Sequence, residues 1–168
     1  MATAATALEF TEVPVAPALA VQLCGHCATD PASIAQAMGT AFETLRSFVA
    51  CHGLTRNGHP RAIYTAYDAA GVSFTVAFPV DAGPREPVEQ SAVFAGTLPA
   101  VKAYRFTHHG PYTNLAQTYG QITALLKDRG LLKSDADWAR YLPMWEEYRN
   151  EPETTPPADL LTYIYLPA

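Results

Sequence analysis

The sequence predicts an α+β fold in which a βαββ unit occurs twice around a pseudo-twofold axis. Two segments space their apolar residues by three and four, as a helix does. Each of them ends at a Gly-Leu pair and is followed by two strand-like segments. Because one helix cannot bury its apolar stripe on so short a sheet alone, we expect the halves to pack into one antiparallel sheet with both main helices on one side.

The first half begins with strand-like sequence within residues 10–23. Asp30 followed by Pro31 is a typical helix start, and Gly53 is a typical helix end. Two further strands are predicted within residues 62–80, separated by an Ala-Gly turn signal. The apolar stripe of the predicted helix consists of Ile34, Met38, Ala41, Leu45 and Phe48.

The second half repeats this order. Residues 91–96 are a candidate edge strand, and residues 99–106 are the next predicted strand. A helix follows and ends at Gly130, and residues 143–149 and 161–166 are the last two predicted strands. The stripe of this second helix consists of Leu115, Tyr119, Ile122 and Leu126.

The two halves correspond residue by residue at several positions. The corresponding pairs are Pro17 with Pro99, Gly53 with Gly130, and Tyr64 with Tyr148. We therefore predict a single domain over residues 1–168, with repeat one at about 8–80 and repeat two at about 92–167. A concavity is expected where two half-sheets meet, and ligand sites favour such junctions, so we predict a central ligand pocket there.

Composition narrows the function classes. The chain has 168 residues, 11 Lys and Arg against 16 Asp and Glu, and three Cys. The net charge of −5, without a basic cluster, argues against direct nucleic-acid contact. No segment has the length and hydropathy of a membrane span, the start lacks a signal peptide, and the few cysteines suit a reducing compartment, so we expect a cytoplasmic protein with no membrane partner.

The motifs of several enzyme classes are missing. The sequence has no GxSxG elbow, P-loop, GxGxxG or HExxH. Cys24 and Cys27 form a CxxC, but no second ligand pair follows, and Asp30 delays the helix that a redox CxxC would open. We predict no metal and no cofactor, and we assign Cys24 and Cys27 no role.

The penultimate predicted strand contains two acids, although strands disfavour Glu. Period-two alternation places Met144, Glu146 and Tyr148 on one face. Trp145 and Glu147 take the other face. One glutamate therefore points toward the packed side, unless the strand is an exposed edge with both acids solvated. If it is Glu146, a carboxylate stands beside a phenol in an apolar hollow suited to a cationic or electrophilic ligand.

Two adjacent histidines, His108 and His109, precede Gly110, Pro111 and Tyr112. Neighbouring strand residues face opposite ways, so at most one of the two reaches a pocket. We predict that this residue is His109. The alternative is a hydrogen bond from its imidazole to the backbone of the turn.

The pattern H-x-G-P-Y at residues 108–112, the pattern E-x-Y-x-x-x-P at residues 146–152 and the Pro-terminated last strand at residues 162–167 resemble the GyrI-like small-molecule-binding domains. The resemblance covers the whole chain and is strongest over residues 99–167. These domains are the effector-binding parts of AraC-type and MerR-type multidrug-responsive regulators, and they also occur in stand-alone proteins such as the gyrase inhibitory protein.

The resemblance implies a duplicated βαββ fold whose junction pocket takes lipophilic, often cationic compounds. It implies that Glu146 is the buried acid that contacts ligand, with Tyr148 beside it and Tyr64 as the pseudo-symmetric partner. Ala62 stands where a second acid would fall. The expected ligand-binding residues are Glu146, Tyr148, Tyr64, Tyr112, His109, Met144 and Tyr104.

Three functions are compatible with this site. The first is a stand-alone module that senses or sequesters a lipophilic, aromatic or cationic small molecule. The second is a hydrolase of electrophilic cyclopropane-type toxins, with Glu146 as base or water-orienting residue and Tyr148 or Tyr112 as proton donor. The third is regulation of a protein partner, as in a gyrase inhibitor. About ten residues precede the first predicted strand, so we expect no operator-binding module.

Overall fold

The computed structural model describes residues 7–85 and 91–168. The predicted α+β fold is confirmed: one eight-stranded antiparallel sheet carries two α-helices, and short 3₁₀ segments lie in the loops. The strands and helices are β1 (Phe10–Val15), β2 (Ala18–Cys27), α1 (Pro31–Cys51), β3 (Arg61–Asp68), β4 (Gly71–Pro79), β5 (Phe94–Leu98), β6 (Val101–His109), α2 (Leu115–Asp128), β7 (Met144–Tyr148) and β8 (Leu161–Pro167).

The sheet order shows the duplication directly. The strands run β1-β6-β8-β7-β3-β4-β2-β5, so the β6-β8-β7 half meets its counterpart β3-β4-β2 at the β7–β3 pair. At this pair Ala62 lies opposite Glu146, and Tyr64 lies opposite Met144. The pseudo-twofold axis therefore passes close to Glu146, and Ala62 occupies the equivalent place in the other half.

The first strand of each half pairs with the other half. β1 pairs with β6, and β5 pairs with β2. Val15 lies opposite Val101 and Ala18 lies opposite Leu98, so the two short connections between these strands run side by side. β1 with β2, and β5 with β6, thus form two long bent segments that link the halves and curl the sheet. Sequence periodicity did not reveal this exchange, because strand partners leave no mark on a strand's own pattern.

Helix α1 starts and ends where the sequence predicts. The Asp30 side chain accepts a hydrogen bond from the Ser33 N–H at 2.9 Å, Pro31 occupies the first turn, and Gly53 has a positive φ of 60° beyond the last turn. The helix packs on β2 and β4 through its buried residues Met38, Ala41, Leu45 and Val49.

Helix α2 covers the second half of the same sheet face. Ile122 and Leu126 are fully buried against Phe106 and Ile164. Burying an aliphatic side chain of this size contributes about 1.5–3 kcal/mol. We call this side of the sheet, which carries Ala62, Glu146 and Ile164, the helix face.

The opposite side, which we call the open face, carries no α-helix in the described ranges. Trp145 and Tyr165 stack there with ring centroids 4.7 Å apart and planes at 10°. Ala103 packs beside them with apolar residues of β1 and β6. Across the described ranges, no helix is long and apolar enough to cross a membrane.

Candidate functional site

Glu146 is buried at the junction of the two halves. It lies in the middle of β7, opposite Ala62 on β3 and Ile164 on β8, and its side chain is on the helix face. Only 3% of the residue is exposed. The alternative of an exposed edge strand with two solvated acids is therefore wrong, because β7 lies between β3 and β8.

Both carboxylate oxygens of Glu146 accept a phenol hydrogen bond. The Tyr119 hydroxyl donates to Oε1 at 2.6 Å from α2, and the Tyr148 hydroxyl donates to Oε2 at 2.7 Å from the same strand. The Tyr64 hydroxyl also faces the carboxylate from β3. Three phenols from three elements thus surround one acid.

No cation neutralises this acid within the described ranges. Glu146 forms no ion pair with Lys, Arg or His there. Burial raises the pKa of Glu146. The hydrogen bonds from Tyr119 and Tyr148 oppose that rise, and the smaller effects of His108 and Tyr64 oppose it as well. Desolvation is the largest of these effects, so the pKa of Glu146 stays above its ordinary value despite the hydrogen bonds.

Aromatic rings close the space around the acid. The Tyr148 ring meets Phe42 of α1 edge-on at 5.7 Å and meets Tyr112 edge-on at 5.3 Å between ring centroids. Burial, with the charges of Glu153, Glu146 and Glu151, raises the pKa of Tyr112 to about 12, so its hydroxyl stays a donor at neutral pH. The rings of Phe42, Tyr148 and Tyr112 thus lie in contact beside the acid.

A cleft of about 520 Å³ lies between α1 and the ends of β2 and β4. Phe74 lines it and lies opposite Tyr64 in the β3–β4 pair, so Tyr64 stands between this cleft and Glu146. Gly25 faces the Phe74 ring so closely that a Cβ would lie 2.3 Å from Cζ. A side chain at this position would displace the ring.

His108 fastens the loop that carries Tyr112. Its Nδ1 lies 2.6 Å from the Thr118 hydroxyl of α2, and its Nε2 lies 3.1 Å from the Pro111 carbonyl oxygen. Since a carbonyl only accepts, Nε2 carries the proton, and in the neutral ring Nδ1 accepts from Thr118. One buried imidazole therefore fixes Tyr112 and the helix turn before Tyr119.

The structure does not bring His109 to the acid. Its side chain is 63% exposed on the open face and lies 3.6 Å from Glu9. The alternation argument was sound, but it selected the wrong member of the pair: His108 points to the helix face, because it shares strand parity with the buried Phe106.

The other predicted residues lie on the helix face at different distances from the acid. Met144 and Tyr148 flank Glu146 along β7, and Met144 packs against the second apolar core. Tyr104 also packs on that core, and its ring centroid lies 5.5 Å from that of Phe10. It is four residues before His108 on β6.

Sequence reasoning missed Tyr119, His108 and Phe42 as site residues. Tyr119 was assigned to the apolar stripe of α2, and its hydroxyl was the available signal, because a phenol in a buried stripe needs a hydrogen-bond partner. Phe42 gave no such signal.

Cys27 lines the cleft between α1 and β2, and Cys24 lies on the other face of the strand. Cys24 and Cys27 are free thiols on β2, three residues apart and thus on opposite faces of that strand. The described ranges hold no group of three His, Cys, Asp or Glu side chains arranged to bind a metal.

Known proteins share this architecture. Residues 7–168 match the family profile of the GyrI-like small molecule binding domain. No curated protein sequence matches the chain. The EcmrR C-terminal domain has the same fold, with 14% identity, a TM-score of 0.69, and 96% of this chain and 98% of that chain covered. In an EcmrR–DNA complex the TM-score is 0.74 at 14% identity, and the match covers 96% of this chain but 57% of the EcmrR chain.

Two further solved structures are similar. The structure of SAV2435 bound to tetraphenylphosphonium has 14% identity and a TM-score of 0.62, with 95% of this chain and 93% of that chain covered. A hydrolase from Listeria innocua has 12% identity and a TM-score of 0.55, with coverage of 98% and 93%. At such identities the structures show a shared fold. With the family profile matching nearly the whole described chain, this protein belongs to the GyrI-like small-molecule-binding domain family.

Proposed function

We propose that this protein binds a lipophilic organic cation at Glu146 and acts as a sensing or sequestering module. The observation that carries the proposal is a buried carboxylate whose hydrogen-bond donors within the described ranges are neutral phenols. A buried charge without a counter-charge costs several kcal/mol, which an entering cation offsets.

The surroundings favour an organic cation over a metal ion. Tyr64, Tyr112, Tyr148 and Phe42 supply aromatic faces and edges close to the acid. Each cation–π contact contributes about 0.5–2 kcal/mol. The cleft beyond Tyr64 gives the apolar groups of the ligand a place next to the acid once the rings move aside. SAV2435, which shares the fold, has been seen with tetraphenylphosphonium, a cation of this class.

Titration calorimetry with tetraphenylphosphonium tests the proposal. We expect saturable binding by the parent protein and at least about a tenfold loss of affinity in Glu146→Gln, because the variant keeps the shape and loses the charge. Glu43→Gln is the matched control: it removes the same charge from an exposed position on α1. Equal affinity in the parent and Glu146→Gln would refute the role of the acid.

A hydrolase is a second candidate function. A raised pKa suits Glu146 to act as a general base, and the two phenols are placed to donate protons to an oxygen that gains charge. In this reaction the substrate is a cyclopropane conjugated to a carbonyl: Glu146 takes a proton from water, the water oxygen bonds to a ring carbon, the ring carbon–carbon bond breaks and its electron pair passes to the carbonyl oxygen as an enolate. A phenol protonates that oxygen, and the protonated Glu146 returns its proton to the phenolate. A protein of the same fold is described as a hydrolase.

Incubation of an electrophilic cyclopropane in heavy-oxygen water tests this second function. If the protein is a hydrolase, it forms a ring-opened product that contains one oxygen atom from the solvent. The rate at which this product forms then depends on Glu146. Saturable binding with no product above the Glu146→Gln background would reject hydrolysis and leave the binding proposal intact.

A further inference from the structure

The open face carries an excess of guanidinium charge. Arg61 and Arg149 share a single carboxylate: the Arg149 guanidinium donates to Glu147 at 2.6 Å, and Arg61 Nε lies 3.4 Å from the same group. At the rim, the exposed Glu9 lies beside His109. Arg105 forms no ion pair with any described residue. The guanidinium of Arg105 therefore has no acidic partner among the described residues, in a protein whose net charge is −5.

Arg105 is half-buried and incompletely hydrogen-bonded. Its guanidinium carbon lies 4.5 Å from the centroid of the Tyr163 ring, and that of Arg149 lies 4.8 Å from the same centroid. The Arg105 Nε–H is buried and has no acceptor among the described atoms. Two guanidiniums thus meet at one phenol ring, and one of them has an unused donor.

Trp145 provides a second unused donor on the same face. The residue is 6% exposed, and its indole N–H is buried without an acceptor in the described ranges. Tyr165 lies directly opposite Trp145 on one side and Arg105 on the other, so the three residues form one row across β7, β8 and β6. A buried donor left without an acceptor is destabilising.

Charges of both signs act on Tyr165 in this row. Burial and the nearby Glu147 raise the pKa of Tyr165, whereas Arg105 and Arg149 oppose the rise. Both guanidiniums therefore act on the same phenol; Arg149 is paired with Glu147, so a negative group bound here would meet Arg105 as its unpaired positive charge.

We propose that the open face binds an aromatic oxyanion, with its carboxylate or phosphate group at Arg105 and its ring against Tyr163. A guanidinium presents a planar fork of donors that matches two oxygens of such a group, and it stacks on aromatic rings. The N–H groups of Arg105 and Trp145 lack an acceptor among the described atoms, and the half-buried Tyr163 ring beside Arg105 supplies an apolar contact. Arg149 has a 33% exposed side chain and is accessible as a second contact.

This second site is separate from the one at Glu146. Trp145 and Glu146 are consecutive residues of one strand and therefore face opposite sides of the sheet. The two sites also take ligands of opposite charge, so the failure of one proposal leaves the other standing.

Titration of labelled protein with phenyl phosphate, followed by the indole N–H resonances in NMR spectra, tests the proposal. Trp138 and Trp145 are the two tryptophans of the chain, and a Trp138→Phe variant assigns their signals. We expect a saturable shift of the Trp145 signal with phenyl phosphate at roughly millimolar concentration, as suits a surface site. Phenol, which has the ring without the anion, is the matched probe and is expected to leave the signal in place.

Variants then identify the anchor. Arg105→Gln is expected to weaken phenyl phosphate binding about tenfold or more, because the charge and the fork are both lost. Arg46→Gln, which removes an exposed guanidinium from α1, is expected to have no effect. Circular dichroism and urea unfolding report whether Arg105→Gln is folded, and Arg105→Lys, which loses the planar fork of donors, serves in its place if it is not. No shift of the Trp145 signal, an equal shift with phenol, or unchanged affinity in the folded Arg105 variant would each overturn the proposal.

Discussion

Glu146 and Glu147 are neighbours on one strand, and both are buried, yet their surroundings are opposite. Glu147 on the open face is held by Arg149 at 2.6 Å and lies 3.4 Å from Arg61. Glu146 on the helix face receives two phenol hydrogen bonds and no counter-charge within the described ranges. The comparison teaches that burial alone does not mark a ligand site. The ion-paired Glu147 contributes to the fold, whereas Glu146, which has no such pair, is the acid that we propose binds a cation.

Charge removal at the two positions is expected to have opposite effects on stability. Glu147→Gln leaves two half-buried guanidiniums without a carboxylate, so we expect the free energy of unfolding to fall by about 1–3 kcal/mol, less than for a fully buried pair because Arg149 is partly exposed. Glu146→Gln removes a charge that burial disfavours, so we expect no loss or a gain of about 1 kcal/mol at neutral pH.

Urea unfolding of both variants beside the parent measures this difference. A loss of several kcal/mol in Glu146→Gln would show that the phenol hydrogen bonds need the charged form, and that Glu146 stabilises the fold.

The same contrast has a pH signature. Since the pKa of Glu146 is raised in the folded state, the folded protein holds this proton at pH values at which the unfolded chain has lost it. Its contribution to stability is therefore fully present below the ordinary pKa, near 4.5, and is lost as pH rises toward the folded-state pKa.

Unfolding free energies of the parent and Glu146→Gln across this range check the expectation. We expect the difference between the two proteins to shift in favour of the variant as pH rises. A shift in favour of the parent would mean that the folded-state pKa is depressed.

Removal of one phenol donor is expected to have a smaller effect. In Tyr119→Phe the ring stays and Oε1 loses its 2.6 Å hydrogen bond. We expect the pKa of Glu146 to rise further and affinity for tetraphenylphosphonium at neutral pH to fall by about threefold to tenfold, since a hydrogen bond to a charged group contributes about 1.5–3 kcal/mol and the cation replaces part of it. Tyr141→Phe, which removes a hydroxyl bonded to the Leu131 carbonyl, is the matched control for calorimetry.

The smallest effect is expected at His108. His108→Phe keeps a ring in place but removes the contacts to Thr118 and to the Pro111 carbonyl. We expect a loss of stability of about 1–2 kcal/mol and a loss of affinity of a few fold, because Tyr112 is held less firmly. His109→Phe, on the exposed opposite side, is the control, and equal losses in both variants would count against the fastening role of His108.

The sequence predicted most of the fold and the centre of the site for physical reasons that can be named. Helix spacing and end signals located α1 and α2, and period-two alternation placed Glu146 and Tyr148 on one face. The exchange of β1 and β5 between halves could not be predicted, because pairing depends on the curl of the whole sheet. His108 and Tyr119 were missed because the fold supplies their partners Thr118 and Glu146 from other elements.

The pKa of Glu146, followed through its carboxyl carbon resonance in NMR titrations with and without saturating tetraphenylphosphonium, tests the central claim most directly. The account predicts a pKa above the ordinary value of 4.5 in the free protein and a marked fall when the cation binds. An ordinary pKa that does not change in the complex would contradict it.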